Sequence, residues 1–311
     1  MGQSNFLDPV QPQNTSRVLK YLSDASGLHL SALKEPPSPT TGGIENRNYY
    51  MSATGDGISY DFILRCPPEE IPEWRRGYGL YDLHREYRIL QELPSLSIGI
   101  ITPKAYGYDS GDTFGIPCFL MDRIPGKALT YHFDSSYDES LICEFANIIA
   151  KVSAISYESN FWLANNLPRW TLDRVIEWFE QKSQNFHGDA LVQYALSWMR
   201  AHRPPSQKLV MCHGDLNPGN FLVRDNHVIA AVDWEFACLT DDPLDYLLCV
   251  GWLQDREDLK GLFCQVQGRD IEELKWFEAR GLFGATYVNC SESLFQTHRQ
   301  KLSQAVGFQD K

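Results

Sequence analysis

The sequence predicts an α+β fold of two lobes: a small antiparallel β-sheet with one packed helix, then a larger, mainly helical lobe. Three observations carry this. The chain has 311 residues, 43% of them hydrophobic, and exceeds the length at which single cores usually stop growing. Its first third alternates apolar and polar residues around Gly- and Asp-containing turns, the period of half-buried strands. From Asp138 onwards apolar residues recur with the helical period. The predicted lobes are 1–122 and 123–311.

In the first lobe, Val18, Leu19, Leu22, Leu28 and Leu30 within residues 15–34 predict a leading helix that ends near Ser26-Gly27. The following Lys34-Glu35-Pro36-Pro37-Ser38-Pro39 is excluded from a helix, because proline lacks the N–H and clashes with the preceding turn. It leads towards a sheet. Strands at 48–52 and 60–65 flank Ala53-Thr54-Gly55-Asp56-Gly57, a hairpin signal. A helix over 80–93 sets Leu83, Tyr87, Leu90 and Leu93 on one face, with Arg85, Glu86 and Arg88 elsewhere on the cylinder. Two more strands are read at 101–108 and 117–121, and Arg123-Ile124-Pro125-Gly126 is the joint. The second lobe carries helical stripes at Ile142, Phe145, Ile149 and Val152, at Val175, Trp178 and Phe179, and at Leu191, Tyr194, Leu196 and Trp198. These are read as core, and no function is assigned to them.

Lys and Arg total 28 against 40 Asp and Glu, a formal charge of -12, which argues against a nucleic-acid or anionic-membrane partner. No run is long enough to span a membrane. The eight cysteines are scattered without a Cys-x-x-Cys pair, most of them within apolar runs. They are read as reduced core residues of a cytoplasmic protein. The first residues, Met1-Gly2-Gln3-Ser4-Asn5-Phe6, carry no basic region followed by an apolar one, so no secretory signal is expected.

The chemistry concentrates in one β-rich insertion of the helical half. An apolar strand, Leu209-Val210-Met211-Cys212, runs into the polar loop His213-Gly214-Asp215-Leu216-Asn217-Pro218-Gly219-Asn220, and a second apolar strand begins at Phe221. After the turn Asp225-Asn226, the strand Val228-Ile229-Ala230-Ala231-Val232 delivers Asp233 and Glu235 at its end. Antiparallel pairing of the second and third strands is expected to set Asn220 near Asp233. An Asn and an Asp make an oxygen-only site with room for water, which suits Mg²⁺. Asp215 lies outside that pair and is left to accept a proton. This division of labour is that of phosphoryl transfer from a nucleotide to a hydroxyl.

The run from His213 to Asn220, followed by Asp233-Trp234-Glu235, resembles the signature of the aminoglycoside phosphotransferase and choline kinase superfamily, whose two-lobe fold is protein-kinase-like. Gly42-Gly43-Ile44-Glu45-Asn46-Arg47 resembles the family's nucleotide-covering loop. Ile63-Leu64-Arg65 is similar to the strand that bears the phosphate-contacting cation, and Arg85-Glu86-Tyr87 to the helix that supplies its carboxylate partner. The run from Phe119 through Asp122 to Ile124 resembles the hinge that receives adenine. Asp242-Pro243-Leu244-Asp245 matches a motif that follows the metal-binding strand. The resemblance implies ATP and Mg²⁺ as cofactors, Asp215 as catalytic base and His213 as the residue that orients its loop. It implies Asn220 and Asp233 as metal ligands and Arg65 with Glu86 as the ion pair at the phosphates. Gly42, Gly43, Asp122 and Ile124 would complete the nucleotide site. Arg65 stands where most relatives have Lys, and Glu45 where they commonly have a small hydroxyl residue.

The short interval from Asp233 to Asp242 leaves no room for the activation segment of a protein kinase, and no Ala-Pro-Glu follows it. A small-molecule hydroxyl acceptor is therefore expected, lined from the helical lobe. Glu235 and Asp242 are its acidic candidates, although a position next to Pro243 also suits Asp242 as a structural cap. Two other classes stay open: a nucleotide-binding pseudokinase that holds a regulatory partner, and the same fold redirected to non-phosphoryl chemistry. Intact Asp215, Asn220 and Asp233 count against the first.

Overall fold

The computed structural model describes residues 6–40, 46–70, 81–96, 99–129, 139–205, 208–242, 257–288 and 294–309. The chain forms two compact units. One is Met1–Gly126 with Ala230–Glu235, the other Lys127–Ile229 with Phe236–Lys311.

The first unit opens with α1 (Thr15–Ser26), closed by Gly27 in the left-handed region at φ 71. Five strands follow: β1 (Ala32–Pro39), β2 (Arg47–Gly55), β3 (Ile58–Cys66), β4 (Ala105–Asp109) and β5 (Cys118–Asp122). They form one sheet in the order β1-β2-β3-β5-β4. The proline-rich stretch is β1 itself. It lies at the edge of the sheet, with register shifts on either side of Glu35, the only kind of place in a sheet where missing N–H donors are tolerated. The β2–β3 hairpin turns at Asp56 and Gly57, whose φ values are 52 and 76, as a turn matched to strand twist requires. The strand expected at 101–108 begins only at Ala105, beyond Pro103.

Helix α2 (Leu83–Glu92) starts at Asp82, whose side chain caps the N–H of Arg85. Its buried residues are Leu83, Glu86, Ile89 and Leu90. Glu86, which helical spacing sets off the apolar face, thus points inwards. One face of the sheet packs Tyr49, Met51, Phe62, Leu64 and Cys118 against Val18 and Leu22 of α1. By alternation, Ile63 and Arg65 lie on the other face.

In the second unit, β6 (Lys127–Ala128), β8 (Phe221–Arg224) and β9 (His227–Ala231) form a three-stranded sheet in which β8 is central. Asp225 and Asn226, at φ 52 and 61, make the two-residue β8–β9 turn. β7 (Val210–Cys212) pairs antiparallel with β10 (Cys238–Thr240). Around these strands stand α3 (Glu139–Ser153), α4 (Phe161–Asn166), α5 (Leu172–Lys182), α6 (Ala190–Ala201), α7 (Glu257–Gln267), α8 (Leu274–Tyr287) and α9 (Phe295–Val306). The stripes expected on α3 and α5 are buried. On α6 the core face is Leu191, Val192, Ala195, Leu196 and Met199. Tyr194 is 42% exposed and Trp198 half-buried, so these two aromatics stand off the apolar stripe read for them. Cys66, Cys118, Cys143, Cys212, Cys238 and Cys264 are free thiols, all but Cys143 buried.

Asp189 ties three helices of this unit together. It caps α6 through the N–H of Leu191 at 3.0 Å, accepts from Tyr287 of α8 at 2.8 Å, and receives Arg299 of α9 at 2.9 and 3.1 Å. Burial alone would raise its carboxyl pKa, and the Arg299 and Tyr287 bonds outweigh that and hold it below the ordinary value. A carboxyl lowered by folding stabilises the fold above its unfolded pKa of about 3.9, and that contribution disappears as pH falls through the folded value. Asp189→Asn is accordingly expected to cost about 1–3 kcal/mol at neutral pH. In thermal unfolding the gap between wild type and variant should close below pH 4; a gap constant from pH 7 to pH 3 would contradict this account.

Candidate active site

Arg65 sits near the end of β3, opposite Asn48 of β2 and Phe119 of β5, and is 3% exposed. A guanidinium so placed must be matched by acceptors. Its Nε donates to Glu86 Oε2 at 2.6 Å. Its Nη2 donates to Asp233 Oδ1 and to Glu235 Oε2 at 3.2 Å. Burial would lower the arginine pKa, but Asp233 and Glu86 outweigh it and hold the group well above the ordinary range. The side chain keeps its charge at every working pH. The pair assigned to Arg65 and Glu86 on the resemblance is in direct contact, and Asp233 and Glu235 join it.

These two acids arrive from the far end of the chain. Residues 230–235 belong to the first unit because β9 runs on into it, where Ala231 N–H donates to Ile101 C=O at 3.1 Å. Asp233 has φ 66, a left-handed conformation that non-glycine residues adopt at a cost and that clusters at functional sites. Trp234 between the acids is fully buried and donates from Nε1 to Ala231 C=O at 3.1 Å. Asp233 and Glu235 nevertheless both reach Arg65. Asn46, read from the sequence only as part of the nucleotide-covering loop, donates from Nδ2 to Glu235 Oε2 at 2.7 Å.

At the other end of the sheet Asp122 closes β5. Its N–H donates to Lys104 C=O at 3.0 Å and its carboxylate accepts from Tyr106 at 2.7 Å. Arg123 N–H is taken by Asp61 C=O at 3.1 Å, and Ile124 follows, half-buried. Gly42, Gly43 and Glu45 of the predicted nucleotide loop lie outside the described residues, as do Pro243, Leu244 and Asp245.

In the second unit the loop after β7 satisfies itself. His213 is 1% exposed, packs on Phe221 and accepts the Asp215 N–H on Nδ1 at 3.3 Å. An accepting Nδ1 leaves the ring proton on Nε2. Gly214 has φ 83, and a Cβ there would lie 1.9 Å from Phe236 C=O, so only glycine fits. Asp215 Oδ1 accepts the Asn217 N–H at 3.2 Å, and Asp215 C=O accepts Asn220 Nδ2 at 3.2 Å. Asn217 in turn caps the 3-10 turn Pro218–Asn220 through the Gly219 N–H at 2.8 Å. Asp215 and Asn220 stay half-exposed while His213 does not. Asn220 and Asp233 belong to different units.

The two acids considered for the acceptor side are otherwise engaged. Asp242 is fully buried and paired with Arg269 at 2.5 Å, and Glu235 is 2% exposed, held by Arg65 and Asn46. Asp241, 4% exposed, is similarly spent on Arg203 at 2.7 Å and on the Leu172 N–H at 2.9 Å.

For a metal, the carboxylates gathered around Arg65 are hard oxygen donors of the kind a divalent cation takes. Glu86, Asp233 and Glu235 bring carboxylate atoms within 4.8 Å of one another. The guanidinium already stands among them, and its geometry decides a test. A lysine ammonium is a point charge and lacks the fork that serves Glu86 and the two acids from different nitrogens. Arg65→Lys is expected to lower the thermal unfolding midpoint by several degrees, and Arg65→Met, which strands buried carboxylates, to cost about 3–5 kcal/mol. Unchanged midpoints in both would show that the cluster contributes nothing to folding.

Comparison with known proteins bears on the family and the fold. The family model described as "Phosphotransferase enzyme family" matches residues 38–277. The fold is similar to that of macrolide 2'-phosphotransferase MphH from Brachybacterium faecium, at 18% identity over 96% of this chain and 100% of that one, TM-score 0.59. It is similar to choline kinase LicA from Streptococcus pneumoniae, at 14% identity over 94% and 98%, TM-score 0.60. The GDP and kanamycin complex of APH(2")-IIIa matches at 16% identity over 96% and 99%, TM-score 0.66. With a family model covering most of its length and a fold shared with kinases of this type, the chain belongs to the phosphotransferase enzyme family.

Proposed function

We propose that this enzyme transfers the γ-phosphoryl group of ATP, with Mg²⁺, to a hydroxyl of a small molecule. The observation that carries the reading is Asp215: a carboxylate fixed by its own loop yet half-exposed. Its Oδ1 is steadied by the Asn217 N–H, and its backbone is held by His213 and Asn220. That is the requirement for a general base, which must be positioned but not consumed.

In the proposed step the acceptor hydroxyl oxygen attacks the γ-phosphorus. The bond from that phosphorus to the β–γ bridging oxygen breaks, ADP leaves, and the hydroxyl proton passes to Asp215. His213 is buried and already committed, so it serves as the frame of the loop and not as the proton acceptor. Arg65, permanently charged, would present donors to the α- and β-phosphates, with Glu86 fixing its orientation. Asn220 and Asp233 would hold Mg²⁺, which when bound neutralises phosphate charge. Asp122 and Ile124, with Gly42 and Gly43, would receive the rest of the nucleotide.

Structural relatives named for a macrolide, for choline and for kanamycin support a small-molecule acceptor. Their acceptors differ in chemistry, and fold does not choose among them. With Asp242 and Glu235 paired internally, neither is the recognition group for a cationic acceptor. An untargeted metabolite screen for ATP-dependent mass gain of one phosphoryl group identifies the acceptor. With it in hand, Asp215→Ala should lower kcat by about 10²–10⁴-fold, with little change in KM for ATP, and EDTA should abolish turnover. An Asp215→Ala variant that keeps wild-type kcat would remove the base role.

A further inference from the structure

The phosphoryl-transfer reading leaves Glu235 without a post. Burial closes it to an acceptor, yet its Oε2 receives donors from two separate parts of the first unit: Asn46 Nδ2 at 2.7 Å and Arg65 Nη2 at 3.2 Å. Two N–H donors fill the lone pairs of that oxygen. Asn46 is 8% exposed, belongs to the expected nucleotide loop that opens at Gly42, and stands at the entrance to β2. Its other end is held as well, since Tyr81 donates to Asn46 Oδ1 at 3.4 Å. Two residues before Glu235, Asp233 binds the same guanidinium nitrogen. One carboxylate oxygen thus joins the foot of the loop to the phosphate-side cation.

We propose that Glu235 is a positioning residue. It fastens Asn46, at the entrance to β2, to Arg65, so that these two meet the nucleotide phosphates as one preorganised pair, and it is not a metal ligand. This rests on the phosphoryl-transfer reading. The prediction concerns ATP affinity, not metal affinity and not the chemical step.

Steady-state kinetics of the full chain test it in wild type, Glu235→Gln, Asn46→Ala and the double variant, with Asp233→Asn as the reference for loss of a metal ligand. At saturating Mg²⁺, Glu235→Gln and Asn46→Ala should each raise KM for ATP about 10- to 100-fold, the size of one lost hydrogen bond to a charged group. kcat and the Mg²⁺ concentration for half-maximal rate should stay near wild type. The double variant should lose less than the product of the single losses, because both delete one link. Should Glu235→Gln fail to fold in a thermal-melt control, Asn46→Ala, which deletes no charge, carries the same expectation alone. A Glu235→Gln variant that shifts the Mg²⁺ dependence as far as Asp233→Asn does, with KM for ATP unchanged, overturns the proposal, as do independent effects of the two single substitutions. Wild-type protein that neither binds nor turns over MgATP overturns the phosphoryl-transfer reading instead, and this proposal with it.

Discussion

The constraint on which the first unit depends is the burial of one guanidinium. Arg65 is 3% exposed, and a charge in that position is tolerable only with acceptors on every side that water has left. Those acceptors come from two places in the sequence: Glu86 on α2, and Asp233 and Glu235 on the segment that follows β9. Satisfying Arg65 therefore does what no local propensity does. It fixes the rotation of α2, drawing a glutamate into the interior, and it holds a six-residue segment, Ala230–Glu235, in a unit otherwise built from the first 126 residues.

The His213–Asn220 loop solves the opposite problem. Its polar groups are turned on one another, His213 to the Asp215 N–H, Asp215 to the Asn217 N–H, Asn217 to the Gly219 N–H and Asn220 back to Asp215. The packing of Gly214 against Phe236 sets the loop's path. A loop closed in this way leaves little freedom to be lost on binding, and preorganisation is the main contribution a protein scaffold makes to proton transfer and charge stabilisation. The two halves of the machinery are thus stabilised by different physics, one by charge pairing in a dry interior and one by short-range hydrogen bonds in a partly wet loop.

Much of this was legible in the sequence, for identifiable reasons. The β2–β3 hairpin announces itself through Asp56-Gly57, and α1 through its apolar face and Gly27, because turn and cap chemistry is local. The His213–Asn220 loop is legible for the same reason: its hydrogen bonds span two to five residues. What hydrophobic spacing misjudged was long-range. It set Glu86 off the buried face of α2, since nothing in Leu83–Leu93 reveals a guanidinium opposite; only the resemblance paired the two. It took Tyr194 and Trp198 for core, where Val192, Ala195 and Met199 fill the interior of α6. The sequence also put Glu235 forward for an acceptor, and Asp242 beside its reading as a structural cap, while their partners, Arg65 and Asn46 for the first and Arg269 for the second, lay 170, 189 and 27 positions away. The strand character of Lys34–Pro39 was hidden by its prolines, which only an edge position accommodates.

The choice of arginine at 65 also bears on the cation. Three carboxylates face one guanidinium in this cluster, so a phosphate chain arriving bare would meet a group that is formally negative overall. A lysine in such a place could trade protons with its surroundings, as buried lysines do. Arginine has no such outlet, and its charge is pinned. A divalent cation accompanying the nucleotide would offset that negative charge, with the oxygen preference these acids suit. The Mg²⁺ dependence proposed for catalysis is consistent with the formal charge around Arg65, where three acids surround one guanidinium.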